Sequence, residues 1–331
     1  MHAKLPLDKK LNLSYHVCGC LLQEDRSTNI RGEIMTISSR TKGILLALFG
    51  SIFWGISGVA AQFLLQERGM TSDYLTAVRT LTAGIILLFI DAAVNKNNIF
   101  QIWHDKESSL RLIAFGLLGM MSVQYTYFVA IEYSNAPTAT IIQYLMPVII
   151  LLWAAVTEKK LPRPSQVMYA GLAILGTALL ATHGSLTTLN ISGRALLWGI
   201  ISAFAAAFYT VQPRWLLMRW PSTQVIGWAM LIGGFGISLI YPPVSYPGTL
   251  DFLALGSLVY ICILGTALAF WAYVTSTKYI LAQEASILNA TEPLASIVFS
   301  VLLLDVVFQL PEIIGSLLII IPILFITLKK K

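Results

Sequence analysis

The sequence predicts an all-α membrane protein of ten transmembrane helices, arranged as two inverted five-helix repeats with both termini inside (N-in and C-in). Three observations predict this class: an apolar composition, a series of apolar runs of membrane-spanning length, and an asymmetric distribution of Lys and Arg. Hydrophobic residues make up 56% of the 331 residues and charged residues only 11%. Soluble domains carry about 25% charged residues, so much of this protein's surface must face lipid.

The apolar runs begin at Gly43 and are separated by short polar loops. A helix needs about 20 residues to cross the hydrocarbon core of a bilayer, and only helices and closed barrels satisfy their backbone hydrogen bonds there. The runs lack the alternation of polar and apolar residues that is typical of strands, so we expect helices. The predicted helices cover residues 43–66, 72–94, 109–131, 135–157, 165–183, 193–217, 222–242, 251–277, 281–304 and 309–328.

The basic residues indicate the orientation of these helices, because Lys and Arg concentrate in cytoplasmic loops. With the N-terminus inside, 19 of the 22 Lys and Arg residues fall in cytoplasmic segments. Only Arg68 and Arg194 fall in external segments, and Arg79 lies within a span. This distribution accounts for the net charge of +6 without a nucleic-acid-binding surface.

Residues 1–42 are predicted to form a polar cytoplasmic tail. Their one apolar patch, residues 11–22, contains Asn12, Ser14 and His16, and it is too short and too polar to span a bilayer. Met35 stands shortly before the first long apolar run. The sequence therefore leaves two translation starts open, Met1 and Met35, and with the second start the preceding residues are not native.

An internal repeat divides the apolar region into two halves, predicted as residues 43–184 and 193–328. A shift of 150 residues aligns Gly43 with Gly193, Gln62 with Gln212, Ser72 with Ser222 and Gly84 with Gly234. A shift of 146 residues aligns Tyr133 with Tyr279, Ala139 with Ala285, Gln143 with Asn289 and Pro147 with Pro293. Because each half has an odd number of helices, the second half enters the membrane from the opposite side. Inverted repeats of this kind are common in secondary transporters.

Four segments resemble EamA-type carriers of the drug/metabolite transporter superfamily. They are KGILLALFGSIFWGISGVAAQ (42–62), VRTLTAGIILL (78–88), MPVIILLWAAVTEKKLPRPSQVMYAGLAILG (146–176) and its counterpart TEPLASIVFSVLLLD (291–305). One departure is Asp305, where the family motif has Gly-Glu, at the end of a helix. The resemblance implies export or import of amino acids, metabolites or drugs, commonly in exchange for protons and without ATP.

Two ionisable residues stand out inside the predicted spans, where a charge is costly and indicates function. Glu292 lies near the middle of the ninth helix, and Arg79 lies nearer the external end of the second. A carboxyl group at that depth can carry a proton or bind an amine, so Glu292 is the predicted proton-coupling residue. Arg79 can hold a carboxylate of the solute or pair with Glu292. The alternative for both is that polar neighbours satisfy them structurally.

Pro147 and Pro293 occupy matching positions in the two halves. A proline inside a helix frees the carbonyl group four residues earlier, which here belongs to Gln143 and to Asn289. Each half therefore places an amide side chain and a freed carbonyl at one level, and matching helix breaks point to the binding site of a transporter. The alternative is a pair of kinks that only shape helix packing.

Further polar and aromatic side chains at middle depth are expected to line the cavity in part, since aromatic rings stack on solutes or contact cations. Helix packing is the alternative role of each one. These side chains are Trp54, Gln62, Gln124, Tyr125, Tyr127, Tyr144, Tyr209, Gln212, Trp271 and Tyr273. The residues predicted to contact the solute are Trp54, Gln62, Arg79, Gln124, Tyr127, Gln143, Pro147, Gln212, Trp271, Asn289, Glu292 and Pro293.

The function that these features predict is secondary active transport of a small metabolite, amino acid or drug by alternating access, as proton-coupled export. The expected location is the cell membrane, as a multi-pass protein of a bacterial inner membrane. The expected partners are the solute, protons and the lipid bilayer. No cofactor, metal ion or nucleic acid is expected, and a homodimer is left open.

Three other functions remain as alternatives. A lipid-modifying membrane enzyme would need a nucleophile, a base or metal ligands at one interface, and the sequence has no Walker lysine loop, HExxH, GxSxG or dinucleotide motif. A non-transporting scaffold or sensor would need a sizeable soluble domain, whereas the loops are short. A channel would pass the solute without counterflow exchange.

Overall fold

The computed structural model describes residues 38–158, 164–182, 191–244, 246–276, 278–280, 285 and 288–328, and all regular structure within them is helical. Their apolar helices are α1 (Ser39–Glu67), α2 (Ser72–Ala93), α3 (Lys106–Glu132), α4 (Ala136–Thr157), α5 (Pro164–Thr182), α6 (Gly193–Leu217), α7 (Ser222–Ile240), α8 (Phe252–Ser276), α9 (Thr291–Leu304) and α10 (Leu310–Leu328). Seven of them, all except α5, α9 and α10, are long and apolar enough to cross a membrane. The predicted all-α class is therefore confirmed for the described residues.

Polar residues just before the helices determine where several helices begin. The side chain of Ser38 accepts a hydrogen bond from the backbone N–H of Thr41, and Asp105 accepts one from Ser108. Such N-caps stabilise a helix by about 1 kcal/mol each. They explain why α1 begins inside the predicted tail and why α3 begins earlier than predicted. An apolar run does not reveal these starts, because the capped first turn is itself polar.

The fourth helix is interrupted, whereas the sequence predicted one continuous helix over residues 135–157. It consists of Ala136–Gln143 and Met146–Glu158, with a turn at residues 144–145 between them. Pro147 therefore lies in the first turn of the second segment, where its missing N–H needs no partner.

The ninth helix has a similar break. Its described part begins at Thr291, after a turn at residues 289–290, so Pro293 also lies in a first turn. The remainder of the predicted helix 281–304 falls largely outside the described residues. Three other described helices contain π-helical turns, α1 at Phe63–Glu67, α3 at Phe115–Met121 and α8 at Ile263–Leu268.

The helices pack in pairs, often through small residues. Helix α2 packs on α7, α5 on α10, α3 and α4 on α6, and α1 on both α8 and α9. A Cβ atom at Gly176 would lie 2.6 Å from the carbonyl oxygen of Gly315, and one at Gly84 would lie 2.9 Å from that of Gly227. Glycine lets helix backbones approach this closely, and such close packing is a main source of helix association in lipid.

Buried apolar side chains form two main clusters. One cluster contains Phe128, Leu75 and Tyr127, and the other contains Phe115, Met230 and Phe270. Close packing of these side chains holds the helices at fixed distances. The polar residues of the candidate site lie among helices that contribute to both clusters.

The segment after α1 contacts the segment before α8. The residues that form this contact are Arg68, Gly248, Thr249 and Asp251. Nε of Arg68 donates to Oδ2 of Asp251 at 3.0 Å, and the N–H of Thr249 donates to the carbonyl oxygen of Arg68 at 2.9 Å. The backbone N–H of Ala254 and the guanidinium of Arg68 hold the pKa of Asp251 below its usual value. The ion pair therefore persists into mildly acidic solution.

Gly248→Ala is expected to destabilise the protein by about 1–3 kcal/mol, because residue 248 has a left-handed backbone that strains any other residue. Its φ angle is +117°, and a Cβ atom there would lie 2.1 Å from the carbonyl oxygen of Arg68. Thermal unfolding of the purified protein in detergent measures the effect. Gly256→Ala is the matched control, since no atom lies within 4 Å of its Cβ position. Equal melting temperatures for Gly248→Ala and wild type would show that the backbone at residue 248 does not require glycine.

Candidate functional site

Four polar residues meet at the breaks of the fourth and ninth helices: Ser51 of α1, Tyr144 of α4, Asn289 just before α9, and Glu292 in its first turn. The Tyr144 hydroxyl lies 2.7 Å from the carbonyl oxygen of Asn289 and 3.3 Å from Oε2 of Glu292. Nδ2 of Asn289 donates to the Tyr144 hydroxyl at 2.9 Å and to Oε2 of Glu292 at 3.3 Å. Ser51 donates to Oδ1 of Asn289 at 2.9 Å. We name these four residues the break cluster.

The local sequence explains why the break cluster forms. Pro293 has no N–H, so the carbonyl group of Asn289 lacks its usual helical partner. That carbonyl accepts instead from the N–H of Glu292 at 2.9 Å and from Tyr144. Gly55 lets α1 lie against the same break, because a Cβ atom there would stand only 2.5 Å from the carbonyl oxygen of Glu292. A proline and a glycine thus position the polar groups.

Arg79 is a buried cation near the break cluster. Its side chain is 5% exposed, its Nε donates to the Thr266 hydroxyl at 2.6 Å, and its guanidinium lies 5.0 Å from the centre of the Phe128 ring. Arg79 is within Coulombic range of Glu292. Among the described residues it forms no ion pair, and Thr266 is its only hydrogen-bond acceptor. Its two terminal nitrogens are therefore available to a ligand.

Aromatic side chains surround the same region. The Trp54 ring lies 4.7 Å from Phe270 and 5.1 Å from Tyr273, and Tyr209 lies 6.5 Å from Phe270. Tyr209 and Tyr273 are both within Coulombic range of Glu292. Nε1 of Trp54 is buried and has no acceptor among the described residues. A buried indole N–H usually has a partner, so the lack of one sets Trp54 apart within this aromatic group.

Three predicted contact residues, Gln62, Gln124 and Tyr127, are buried and bond to neighbouring helical residues. Oε1 of Gln62 accepts from the N–H of Ala136 at 2.8 Å, at the start of α4. The Tyr127 hydroxyl lies 2.7 Å from that of Thr140, also on α4. Nε2 of Gln124 lies 3.8 Å from the sulfur of Met120. Tyr127 lies within Coulombic range of Glu292.

Gln143 and Gln212 form their side-chain hydrogen bonds to residues outside the break cluster. Nε2 of Gln143 donates to the Ser202 hydroxyl at 2.6 Å, on α6. Nε2 of Gln212 donates to the carbonyl oxygen of Arg111 at 3.0 Å. Trp271 is 37% exposed. The structure thus brings together Asn289, Glu292 and Pro293 of the predicted set, while Gln143, the predicted repeat partner of Asn289, contacts α6 through Ser202.

Two members of the break cluster, Ser51 and Tyr144, were not among the predicted solute contacts. Ser51 belongs to a series of small residues at every fourth position, Ala47, Ser51 and Gly55, which predicts only close helix contact. Tyr144 follows Gln143 directly and precedes Pro147, so its place beside a helix break was the available signal. Neither pattern indicates which way the hydroxyl group points.

An apolar groove of 390 Å³ lies between the second segment of α4, α5 and α6. Its lining residues are Leu145, Val148, Ile149, Leu152, Ile174, Thr177, Ala178, Leu196, Ile200, Ala203 and Phe204. A site for a polar solute needs several placed polar groups, and Thr177 is the one polar side chain here. The break cluster is therefore the better candidate site.

A bundle of apolar helices with two similar helix breaks, one of which carries a carboxylate, is typical of multi-pass membrane transporters. The sequence pattern of the EamA-like transporter family matches residues 41–182 and 193–328. The chain belongs to this family. The family resemblance predicted from the four sequence segments is thereby confirmed.

Relatives of the chain carry transporter names. It is 39% identical over 299 residues to "Uncharacterized inner membrane transporter YicL" of Salmonella typhimurium, covering 89% of this chain and 98% of that protein. It is 23% identical over 279 residues to "Uncharacterized transporter YxxF" of Bacillus subtilis, covering 82% and 84%. A crystal structure that is 17% identical, with a TM-score of 0.57, covers 87% of this chain and 97% of that one. The last comparison shows a shared fold.

Proposed function

We propose that the protein is a secondary active transporter that exchanges a small solute for protons by alternating access, in the direction of export, across a bacterial inner membrane. One observation carries the proposal: an incompletely bonded carboxylate, Glu292, lies within Coulombic range of an incompletely bonded guanidinium, Arg79. Unpaired charges inside a membrane protein are costly, so their presence indicates that they have a function.

The proposed architecture is ten spans in two inverted five-helix repeats, N-in and C-in. In the proposed repeat, α1 corresponds to α6, α3 to α8 and α4 to α9. The contact of α1 with α8 therefore corresponds to that of α6 with α3, and the contact of α1 with α9 corresponds to that of α6 with α4. All four contacts occur. The same correspondence leaves the α2–α7 and α5–α10 contacts unchanged. The π-helical turns of α3 and α8 also correspond. The stretches that match the family, 41–182 and 193–328, agree with this division.

Glu292 is the proposed proton site. Both hydrogen bonds that its carboxylate makes to described residues go to Oε2, which leaves Oε1 available. Oε1 can hold a proton or interact with a cationic group of the solute, and the two exclude each other. Competition for one carboxylate makes the solute leave when the proton arrives. Movement of protons down their gradient then drives movement of the solute in the opposite direction.

The chemistry around Glu292 fits a solute with an amine and an anionic group, such as an amino acid. An ammonium group would contact Oε1 of Glu292, and a carboxylate would accept hydrogen bonds from the free guanidinium nitrogens of Arg79. Trp54 would supply its unbonded indole N–H and an aromatic surface. A zwitterion thereby satisfies both internal charges at once, which a neutral solute does not.

Proteoliposomes that contain the purified protein and a trapped pH-sensitive dye test this proposal. Imposed gradients of amino acids, their decarboxylated amines and their methyl esters are compared with cationic drugs and other metabolites. We expect an amino acid to produce a solute-dependent pH change and to show counterflow, and we expect the amine and the ester to be weaker. Flux without counterflow would instead indicate a channel. No solute-dependent proton movement across the whole panel would contradict proton exchange.

A further inference from the structure

Tyr144 connects the helix breaks of the two halves through a single hydroxyl group. That hydroxyl lies within hydrogen-bond distance of two acceptors, the carbonyl oxygen of Asn289 at 2.7 Å and Oε2 of Glu292 at 3.3 Å. It also accepts a hydrogen bond from Nδ2 of Asn289 at 2.9 Å. Because a tyrosine hydroxyl has only one proton, it donates fully to one of the two acceptors at a time.

The charge of Glu292 decides between these acceptors. An ionised carboxylate accepts a stronger and shorter hydrogen bond than a neutral carbonyl group does. When Glu292 is ionised, Oε2 competes for the Tyr144 proton. When Glu292 is protonated, the backbone carbonyl of Asn289 is the better acceptor. At distances of 2.7 and 3.3 Å, the Tyr144 hydroxyl lies closer to the backbone carbonyl oxygen of Asn289 than to the carboxylate of Glu292.

The acceptor to which Tyr144 donates matters because the backbone carbonyl oxygen of Asn289 has few other hydrogen-bond donors near it. Pro293 removes the N–H that would ordinarily bond to its carbonyl oxygen. Without Tyr144, that oxygen keeps only the N–H of Glu292, at 2.9 Å. Transfer of the Tyr144 hydrogen bond to the carboxylate therefore replaces a contact to the α9 backbone with a contact to a side chain on α9, while Nδ2 of Asn289 still donates to the hydroxyl. The α4 break then shifts relative to the α9 break, next to the second segment of α4, which begins at Met146.

We propose that Tyr144 is the positioning residue that couples the protonation state of Glu292 to the relative position of the α4 and α9 breaks. This inference rests on the proposed proton role of Glu292. The other charged or titratable groups within Coulombic range of Glu292 are Arg79 on α2, Tyr127 on α3, Tyr209 on α6 and Tyr273 on α8. Among the described residues, Tyr144 alone of these groups hydrogen-bonds both to the carboxylate and to the backbone of the break.

The experiment measures distances between spin labels on the two halves at acidic and alkaline pH. Labels are attached at Trp153 and Leu302, which are 61% and 68% exposed, after replacement of the native cysteines. Infrared difference spectra of the same samples report whether Glu292 gains and loses its proton. The variants are Tyr144→Phe, Glu292→Gln and, as a matched control, Tyr260→Phe, whose hydroxyl donates to the carbonyl oxygen of Phe53 at 3.4 Å.

In the wild type and in Tyr260→Phe, we expect the ratio of the two distance populations to change with pH by about tenfold, the size of one charge-assisted hydrogen bond. In Tyr144→Phe, we expect a change of less than about twofold, although the infrared carboxyl signal of Glu292 still titrates. Glu292→Gln should abolish both the infrared signal and the distance change.

The outcomes separate this inference from the proposed function. A full pH response in Tyr144→Phe, together with its loss in Glu292→Gln, overturns the role of Tyr144 and leaves the proton role intact. A full pH response in Glu292→Gln overturns the proton role itself, and the Tyr144 inference with it. Loss of the carboxyl titration in Tyr144→Phe also counts against a positioning role, because the hydroxyl would then set the charge of Glu292 rather than respond to it.

Discussion

Glu292→Gln is expected to reduce solute-driven proton movement to the level of protein-free liposomes. Glutamine keeps the shape of the side chain and an oxygen that can accept from Tyr144 and Asn289, the two partners of Oε2. It cannot take up or release a proton, so the exchange of proton for solute loses its carrier. The free energy of unfolding should change by only about 1 kcal/mol, the size of one neutral hydrogen bond.

Proton movement in the dye-loaded proteoliposomes and thermal unfolding in detergent together test this variant. Glu107→Gln is the matched control, because Glu107 forms an exposed ion pair with Arg111 on one turn of α3. That control should transport at the wild-type rate, since exposed pairs contribute about 0–1 kcal/mol. A folded Glu292→Gln protein with wild-type proton-coupled flux would remove Glu292 from the coupling mechanism.

Gly55→Ala is expected to separate α1 from α9 and to weaken both stability and transport. The added Cβ atom would stand 2.5 Å from the carbonyl oxygen of Glu292 and 2.8 Å from Cβ of Ala295, so one backbone must move. Such overpacking costs about 1–3 kcal/mol. The movement also draws Ser51 away from Oδ1 of Asn289, which breaks a 2.9 Å hydrogen bond of the break cluster. We expect counterflow to fall by about tenfold, since about 1.4 kcal/mol on the rate-limiting barrier has that effect.

Gly171→Ala is the matched control for this change, because no atom lies within 4 Å of a Cβ atom at residue 171 of α5. The control should be as stable as wild type or slightly more stable, since alanine favours helix over glycine by about 0.5–1 kcal/mol. Melting temperature in detergent and counterflow in proteoliposomes are measured for both variants. If the two alanine variants behave alike, the close approach of α1 to the α9 break has no functional role.

The positions of the long helices were predictable because one physical constraint governs them. A segment that lies in hydrocarbon must be apolar over its whole length and must satisfy its own backbone. The predicted helix over 193–217 and the observed α6, Gly193–Leu217, agree for that reason. The predicted ends were less accurate where a polar cap extends a helix, as Asp105 does for α3. Capping depends on side-chain geometry that an apolar run does not record.

The candidate site was only partly predictable. Glu292 and Pro293 stand out in sequence, because a charge and a proline are both unfavourable inside an apolar helix. Gln143 and Asn289 are equivalent in the predicted repeat, yet Gln143 bonds to Ser202 and Asn289 bonds to Tyr144. These two residues differ because they pack against different neighbours, which the predicted repeat does not indicate.

The sequence by itself determined that this is an all-α protein with membrane-spanning helices and a resemblance to EamA-type carriers. Composition and run length are sufficient for the all-α class and the membrane-spanning helices, because a helix surrounded by lipid must be apolar; four sequence segments carry the resemblance. Only the tertiary structure decided that the breaks of α4 and α9 meet, that Tyr144 rather than Gln143 joins them, and that Arg79 and Glu292 form no ion pair with each other. These facts depend on distances between helices far apart in the chain. A close approach such as that of Gly55 to the Glu292 backbone sets those distances, and no periodicity in the sequence encodes them.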